Sequence, residues 1–227
     1  MGHLVLFLGV LGILQAVLLP GFLLLRLGKF SFSCFRVLVF SFALSLTVNY
    51  ILVLILASLH LYTPFTMRAL VLLELLALVY LLRHAWFEAV KFDALKQALI
   101  EAFQLSPVLA FLAFVMLFVF IYQAISGFGS VFTGWDAVMS WNHWAIEWSG
   151  NQLSSGTNHY PQLLPVNFSI PYVLTGSLSG PLALQIFAKP IALLLPLLPL
   201  LAMLDLSLDY KKTAYLLGLV VTALTYK

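Results

Sequence analysis

Long uninterrupted apolar runs constrain this chain more than any other feature. A helix needs about 20 apolar residues to cross the hydrocarbon of a bilayer. Five runs qualify, roughly 4–25, 37–60, 66–82, 107–126 and 182–204, and a sixth starts near 213 and reaches Lys227. Little is left from which to build a soluble surface. Of the 227 residues 63% are hydrophobic and 8% charged, whereas a soluble domain carries about 25% charged residues. The expected fold is all-α, a polytopic transmembrane bundle of five to six spans with an external loop of juxtamembrane helices. Residues 1–105 are read as N-terminal spanning helices plus a cytoplasmic interfacial helix, and 106–227 as a second unit holding the external loop, 127–181.

Prolines mark where the runs should bend. Pro20-Gly21 interrupts the first, and Pro190, Pro196 and Pro199 the fifth; freed carbonyls there need partners from neighbouring helices or water. The first run has no basic flank and no clear small-residue cleavage site, so it reads as a retained helix rather than a signal peptide. Cys34 is the sole cysteine and reads as an inert, buried thiol beside a helix. The net charge of +3 comes without a basic run or basic-aromatic interleaving, which gives no footing for nucleic acid.

The basic residues predict the orientation. Arg26, Lys29 and Arg36 lie between the first two runs, Arg83, Lys91 and Lys96 between the third and fourth, and Lys211 and Lys212 after the fifth. All eight fall on one side if the amino terminus is outside, and the positive-inside rule makes that side the cytoplasm. Between Lys96 and Lys189 there is no Lys or Arg, so 127–181 should face the exterior. Two apolar segments are too short or too broken to span. Residues 161–177 contain Pro165 and Pro171, and spanning would force Lys211-Lys212 outside, so they read as an interfacial helix on the outer face. Residues 84–105 read as a membrane-lying connector, with Trp86, Phe87, Val90, Ala94 and Leu95 on one face and Glu88, Lys91, Asp93, Lys96 and Glu101 mostly on the other.

The segment GWDAVMSWNHWAIEWSGNQLSSGTNHYPQLLPV, 134–166, departs from its greasy surroundings. Trp141, Trp144 and Trp148 stand at i, i+3 and i+7 and share one helical face. Tryptophan prefers the headgroup level, so 137–149 is expected to lie on the outer leaflet, tryptophan side down. Asn151, Ser154, Ser155, Gly156 and Thr157 should form a turn. Asp136 precedes the helix. It reads either as an N-cap, contributing about 1 kcal/mol, or as a general base at the bilayer edge; both roles are compatible. Glu147 lies about three turns, or ~16 Å, further along a continuous helix, so the two carboxylates cannot act as a close pair. His143 and His159 lack a metal-ligand spacing with Asp136; no cofactor follows, and a divalent metal is left open. Lys189 is a lone cation in an apolar run, either snorkelling to headgroups or holding a lipid phosphate, because intramembrane ionisable residues are functional candidates by default. The Asn167-Phe-Ser sequon falls in the expected interfacial helix and carries little weight.

Trp135-Asp136-Ala137, Trp141, Ala145 and Tyr160-Pro161-Gln162-Leu163-Leu164-Pro165 together resemble the first external loop of GT-C superfamily membrane glycosyltransferases. The likeness is to the bacterial branch related to dolichyl-phosphate-mannose protein mannosyltransferases. A basic residue that often follows the Ala in such proteins is Ile146 here. The resemblance implies Asp136 as the catalytic residue, and Trp135, Trp141, His159, Tyr160 and Lys189 around the substrate. It implies transfer of a sugar from a polyprenyl-phosphate donor to an acceptor outside the cytoplasm, in a bacterial inner (plasma) membrane. It also implies that the chain is the front part of a longer protein, since such enzymes carry many more spans. The alternative is a non-catalytic membrane protein that binds lipid or assembles with other subunits. A transporter fits less well, because only Glu74 and Lys189 lie inside apolar runs.

Overall fold

A computed structural model describes residues 2–83, 92–153, 160–176 and 181–225. Every regular element among them is helical. The elements are α1 (His3–Val17), α2 (Leu19–Leu27), α3 (Cys34–Ser58), α4 (Pro64–Arg83), α5 (Phe92–Leu105), α6 (Pro107–Ser126), a π-helical segment (Ala137–Asn142), α7 (His143–Ser149), α8 (Leu163–Thr175), α9 (Pro181–Leu194), α10 (Leu197–Tyr210) and α11 (Thr213–Thr225). Three stretches are long and apolar enough to cross a membrane: α3, the Pro64–Leu81 part of α4, and Leu184–Tyr210 across α9 and α10. A fourth is added if α1 and α2, bent by 47°, count as one span. The runs expected at 107–126 and from 213 are helical, but their apolar stretches, Pro107–Gln123 and Thr213–Thr222, are shorter. Of the connector expected at 84–105, residues 84–91, with Trp86, Phe87, Glu88, Val90 and Lys91, lie outside the described residues; α5 covers 92–105.

The bends follow the prolines. The α1–α2 break falls at Leu18, two residues before Pro20, whose ring cannot continue the hydrogen-bond ladder. Gly21 then lets α2 approach α3 closely enough for its N–H to donate to Ser45 Oγ at 2.9 Å. A Cβ at Gly21 would stand 2.0 Å from the Ser41 carbonyl oxygen. The second break is a turn at Leu195–Pro196, whereas α9 runs through Pro190.

Segment 161–177 is the main departure from expectation. An interfacial helix has one face on lipid and one on water. In α8 every residue from Pro165 to Thr175 is buried, with α1, α3, α4, α7 and α9 packed around it. Small residues open the space it fills: Gly12 of α1 meets Pro171 so closely that a Cβ there would lie 2.7 Å from Pro171 Cα, and Ala16, Val53 and Ala57 line the same core. Most polar groups of α8 find partners inside the bundle, with Asn167 Oδ1 the exception. Asn167 Nδ2 donates to the Leu46 carbonyl at 3.0 Å, and the Ser169 and Tyr62 hydroxyls are 2.8 Å apart. Burial pushes the Tyr62 phenol well above its ordinary pKa, so it stays protonated and able to donate. The Asn167 sequon is thus buried and closed to modification in the folded chain.

Contacts sort the loops between two ends. At the start of α3, Cys34 is the first helical residue and is exposed rather than buried; Ser33 accepts from the Arg36 N–H at 3.2 Å, and Arg36 pairs with Asp205 at 2.8 Å and with Asp209. That ties the α3 start to the α10 end, beside Lys211 and Lys212. At the other end of α3, the Tyr62 N–H donates to Asn151 Oδ1 at 3.2 Å, and Arg68 Nε donates to the Leu174 carbonyl at 2.9 Å. The 134–166 segment therefore joins the end of α3 opposite Arg36.

Candidate functional site: the segment between α6 and α8

After α6 the chain turns through Gly129, whose φ of +80° suits a residue without a side chain. It is then pinned twice by α9. Gln185 Oε1 accepts from the Phe132 N–H at 3.1 Å, and Lys189 Nζ donates to the Val131 carbonyl at 2.7 Å. Gln185 and Lys189 are four residues apart, so one face of α9 supplies both. The Phe132 ring enters the core against Phe168, with centroids 5.5 Å apart.

Just beyond this anchor the chain surfaces. Trp135 is 76% exposed and Asp136 is exposed. Asp136 directly precedes the π-helical segment but is already helical, as is Trp135, and its side chain makes no capping hydrogen bond. Capping uses extended backbone, whereas Asp136 has φ −62° and ψ −35°. The N-cap expectation fails for that reason, and the carboxylate is left uncommitted among the described residues.

The helix expected at 137–149 is present, but it starts at Trp135 and passes through a π-helical segment before continuing as α7. Such segments add a residue per turn. Here the turn directs Asn142 inward, where it accepts from the Tyr172 hydroxyl of α8. The tryptophan stripe faces protein rather than the outer leaflet. Trp148 is 4% exposed and its Nε1 donates to Gln162 Oε1 at 3.1 Å. Trp144 is 8% exposed and packs on the Tyr160 ring, centroids 5.5 Å apart. Trp141 is partly buried against the main core. The reason is the burial of α8, which offers these rings a wall, while Gln162 just before it offers one of their N–H groups an amide acceptor. His143 and Glu147 lie on the outer side, 3.3 Å apart at i, i+4.

The structure thus places Trp135 and Asp136 together on the surface, Lys189 beneath the loop that carries them, and Trp141 in the packed face. Tyr160 is 63% exposed and leans on Trp144. His159 and the turn residues 154–157 lie outside the described residues. Among the described residues no group of three His, Cys, Asp or Glu is placed to hold a metal. Sequence reasoning missed Phe132, Gln185, Asn142 and Tyr172; the i, i+4 polar pair Gln185/Lys189 in an apolar helix was the available signal for one of them. Tyr172→Phe should leave the buried Asn142 acceptor unpaired, costing about 1–3 kcal/mol. The Tyr172→Phe/Asn142→Leu pair should recover much of that loss in a thermal melt, because both polar partners are then gone.

No protein-family model matches the chain, and neither a curated protein nor a solved structure shows significant similarity to it.

Proposed function

We propose that this chain carries the acceptor-activating part of an integral-membrane glycosyltransferase that takes a sugar from a polyprenyl-phosphate donor at the outer face of the membrane. The observation that carries the reading is Asp136: an exposed, uncommitted carboxylate beside an exposed tryptophan, on a segment anchored by α9 on one side and α8 on the other. Asp136 takes the proton from the acceptor hydroxyl as that oxygen attacks the anomeric carbon. The bond from that carbon to the phosphate oxygen breaks with inversion, and polyprenyl phosphate leaves. A phosphate leaves readily without protonation, so one carboxylate suffices. Lys189 uses one donor on Val131 and has two more for a lipid phosphate. In this reading α1–α2, α3, α4, α6 and α9–α10 are five spans and α11 begins a sixth. The amino terminus and 127–181 lie outside a bacterial inner membrane, and Arg36, Lys211 and Lys212 lie on the cytoplasmic side.

A second reading is a non-catalytic membrane protein that binds lipid or assembles with other subunits. Two observations favour it: Trp141, Trp144 and Trp148 are packed into the fold, and Lys189 holds a backbone carbonyl with no contact to Asp136. Membranes containing the chain, incubated with a panel of labelled polyprenyl-phosphate sugars, separate the two. Release of polyprenyl phosphate coupled to a glycosylated product, absent from membranes lacking the chain, is the result expected of the enzyme. No turnover with any donor would leave the second reading.

A further inference from the structure

Away from the loop, three polar side chains meet inside the bundle. Glu74 is an acid in the middle of the apolar helix α4. Its Oε1 accepts from Gln15 Nε2 of α1 at 3.2 Å. The same nitrogen donates to Asn49 Oδ1 of α3, also at 3.2 Å, and Asn49 Nδ2 donates to the Gln15 backbone carbonyl at 2.9 Å. Gln15 and Asn49 are fully buried. Both hydrogens of the Gln15 amide are therefore spent. Two oxygens are left buried and unpartnered in this cluster, Gln15 Oε1 and Glu74 Oε2, and they belong to the two groups already joined by a hydrogen bond.

An ionised Glu74 would place a full charge there on a single neutral donor, which is costly without a paired cation. None is present among the described residues. α1 carries no Lys, Arg, Asp or Glu. On α2, Arg26 stacks over the Phe22 ring. On α3, Arg36 pairs with Asp205 and Asp209, and Tyr50 makes no bond to Glu74. On α4 itself, Arg68 is bonded to the end of α8, and Tyr80 and Arg83 lie further along the helix. On α8, Tyr172 is bonded to Asn142. Reversing the Gln15 amide does not help, because its oxygen would then face two acceptors, Asn49 Oδ1 and Glu74 Oε1. One added proton on Glu74 answers these deficits in kind. It removes the charge and gives Glu74 a donor, the kind of partner that Gln15 Oε1 lacks.

We propose that Gln15, Asn49 and Glu74 form a proton-binding site within the helix bundle, in which Glu74 is held as the neutral acid and its Oε2 hydroxyl donates to the Gln15 side-chain carbonyl. The two groups then form a closed acid–amide pair bridging α1 and α4, with Asn49 holding the amide from α3. Loss of the proton breaks the pair, so the association of α4 with α1 weakens as rising pH ionises Glu74. This site stands independently of the glycosyltransferase reading.

Infrared spectroscopy of the full chain in lipid discs, with glutamate labelled by carbon-13, tests it without any substitution. The chain has four glutamates, Glu74, Glu88, Glu101 and Glu147. The expected spectrum at neutral pH shows the carboxylic-acid carbonyl stretch of one labelled glutamate, lost reversibly at high pH. Glu74→Gln should remove that band while keeping the fold, since a second amide can donate to Gln15 in place of the acid; Gln15→Leu should shift or abolish it. Only carboxylate bands at neutral pH would overturn the proposal. So would an acid band that appears only when sodium is replaced by choline, which would mean that a cation occupies the site.

Discussion

Asp136→Asn is expected, on the proposed function, to abolish sugar transfer while leaving the amount of chain in the membrane unchanged. A positioned general base contributes roughly 10²–10⁴-fold to rate, and asparagine keeps the size and polarity but cannot take a proton. The stability half of the expectation comes from the structure. An aspartate that capped its helix would lose about 1 kcal/mol on replacement by alanine, but Asp136 caps nothing and is exposed. Transfer per mole of inserted protein, compared between wild type and variant, decides the matter. Normal transfer by Asp136→Asn sinks the catalytic assignment. Lower accumulation with unchanged specific transfer would mean that the side chain supports the fold in a way its surroundings do not show.

The largest expected loss of stability is at Gly21. Overpacking typically costs about 1–3 kcal/mol, and the obstacle here is backbone, the Ser41 carbonyl oxygen, 2.0 Å from where the new Cβ would sit. Gly21→Ala should therefore lie at or above the top of that range, and Ser41→Ala should not rescue it because the clash is not with the side chain. Gly9 is the instructive contrast. A Cβ there would stand 2.4 Å from the Phe187 ring, so Gly9→Ala should be relieved by Phe187→Leu. Thermal melts of the four single variants and two pairs, read as double-mutant cycles, give strong coupling at Gly9/Phe187 and little at Gly21/Ser41. Equal rescue in both pairs would show that α2 can slide away from α3, contrary to the close approach described above.

How much of this was legible in the sequence depended on range. Helical class and the spans at α3 and α4 follow from run length and composition, because one helix satisfies its own backbone wherever it sits. The tryptophan periodicity correctly placed Trp144 and Trp148 on one face. It carried no information about what that face would touch, and α8 rather than lipid lies there. The burial of α8 was hidden because it is decided by Gly12, Ala16 and Val53, more than a hundred residues away in the chain. The prolines and polar residues of α8 look the same on a surface as in a core. Lys189 stood out as a lone cation, but a backbone carbonyl partner such as Val131 leaves no mark in side-chain patterns. Glu74 likewise stood out, whereas Gln15 and Asn49 lie 59 and 25 residues before it and follow no local spacing.

The π-helical segment sets an angular phase. Everything before it, Trp135 and Asp136 included, is turned relative to α7 by the residue it adds. Excising one residue from 137–142 would restore regular winding and swing the acid by about 100° around the helix axis while Trp148 stayed locked on Gln162. The direction in which Asp136 points is therefore a property of chain length within six residues. Insertions and deletions there would re-aim the carboxylate in steps, where ordinary substitutions would merely change its neighbours.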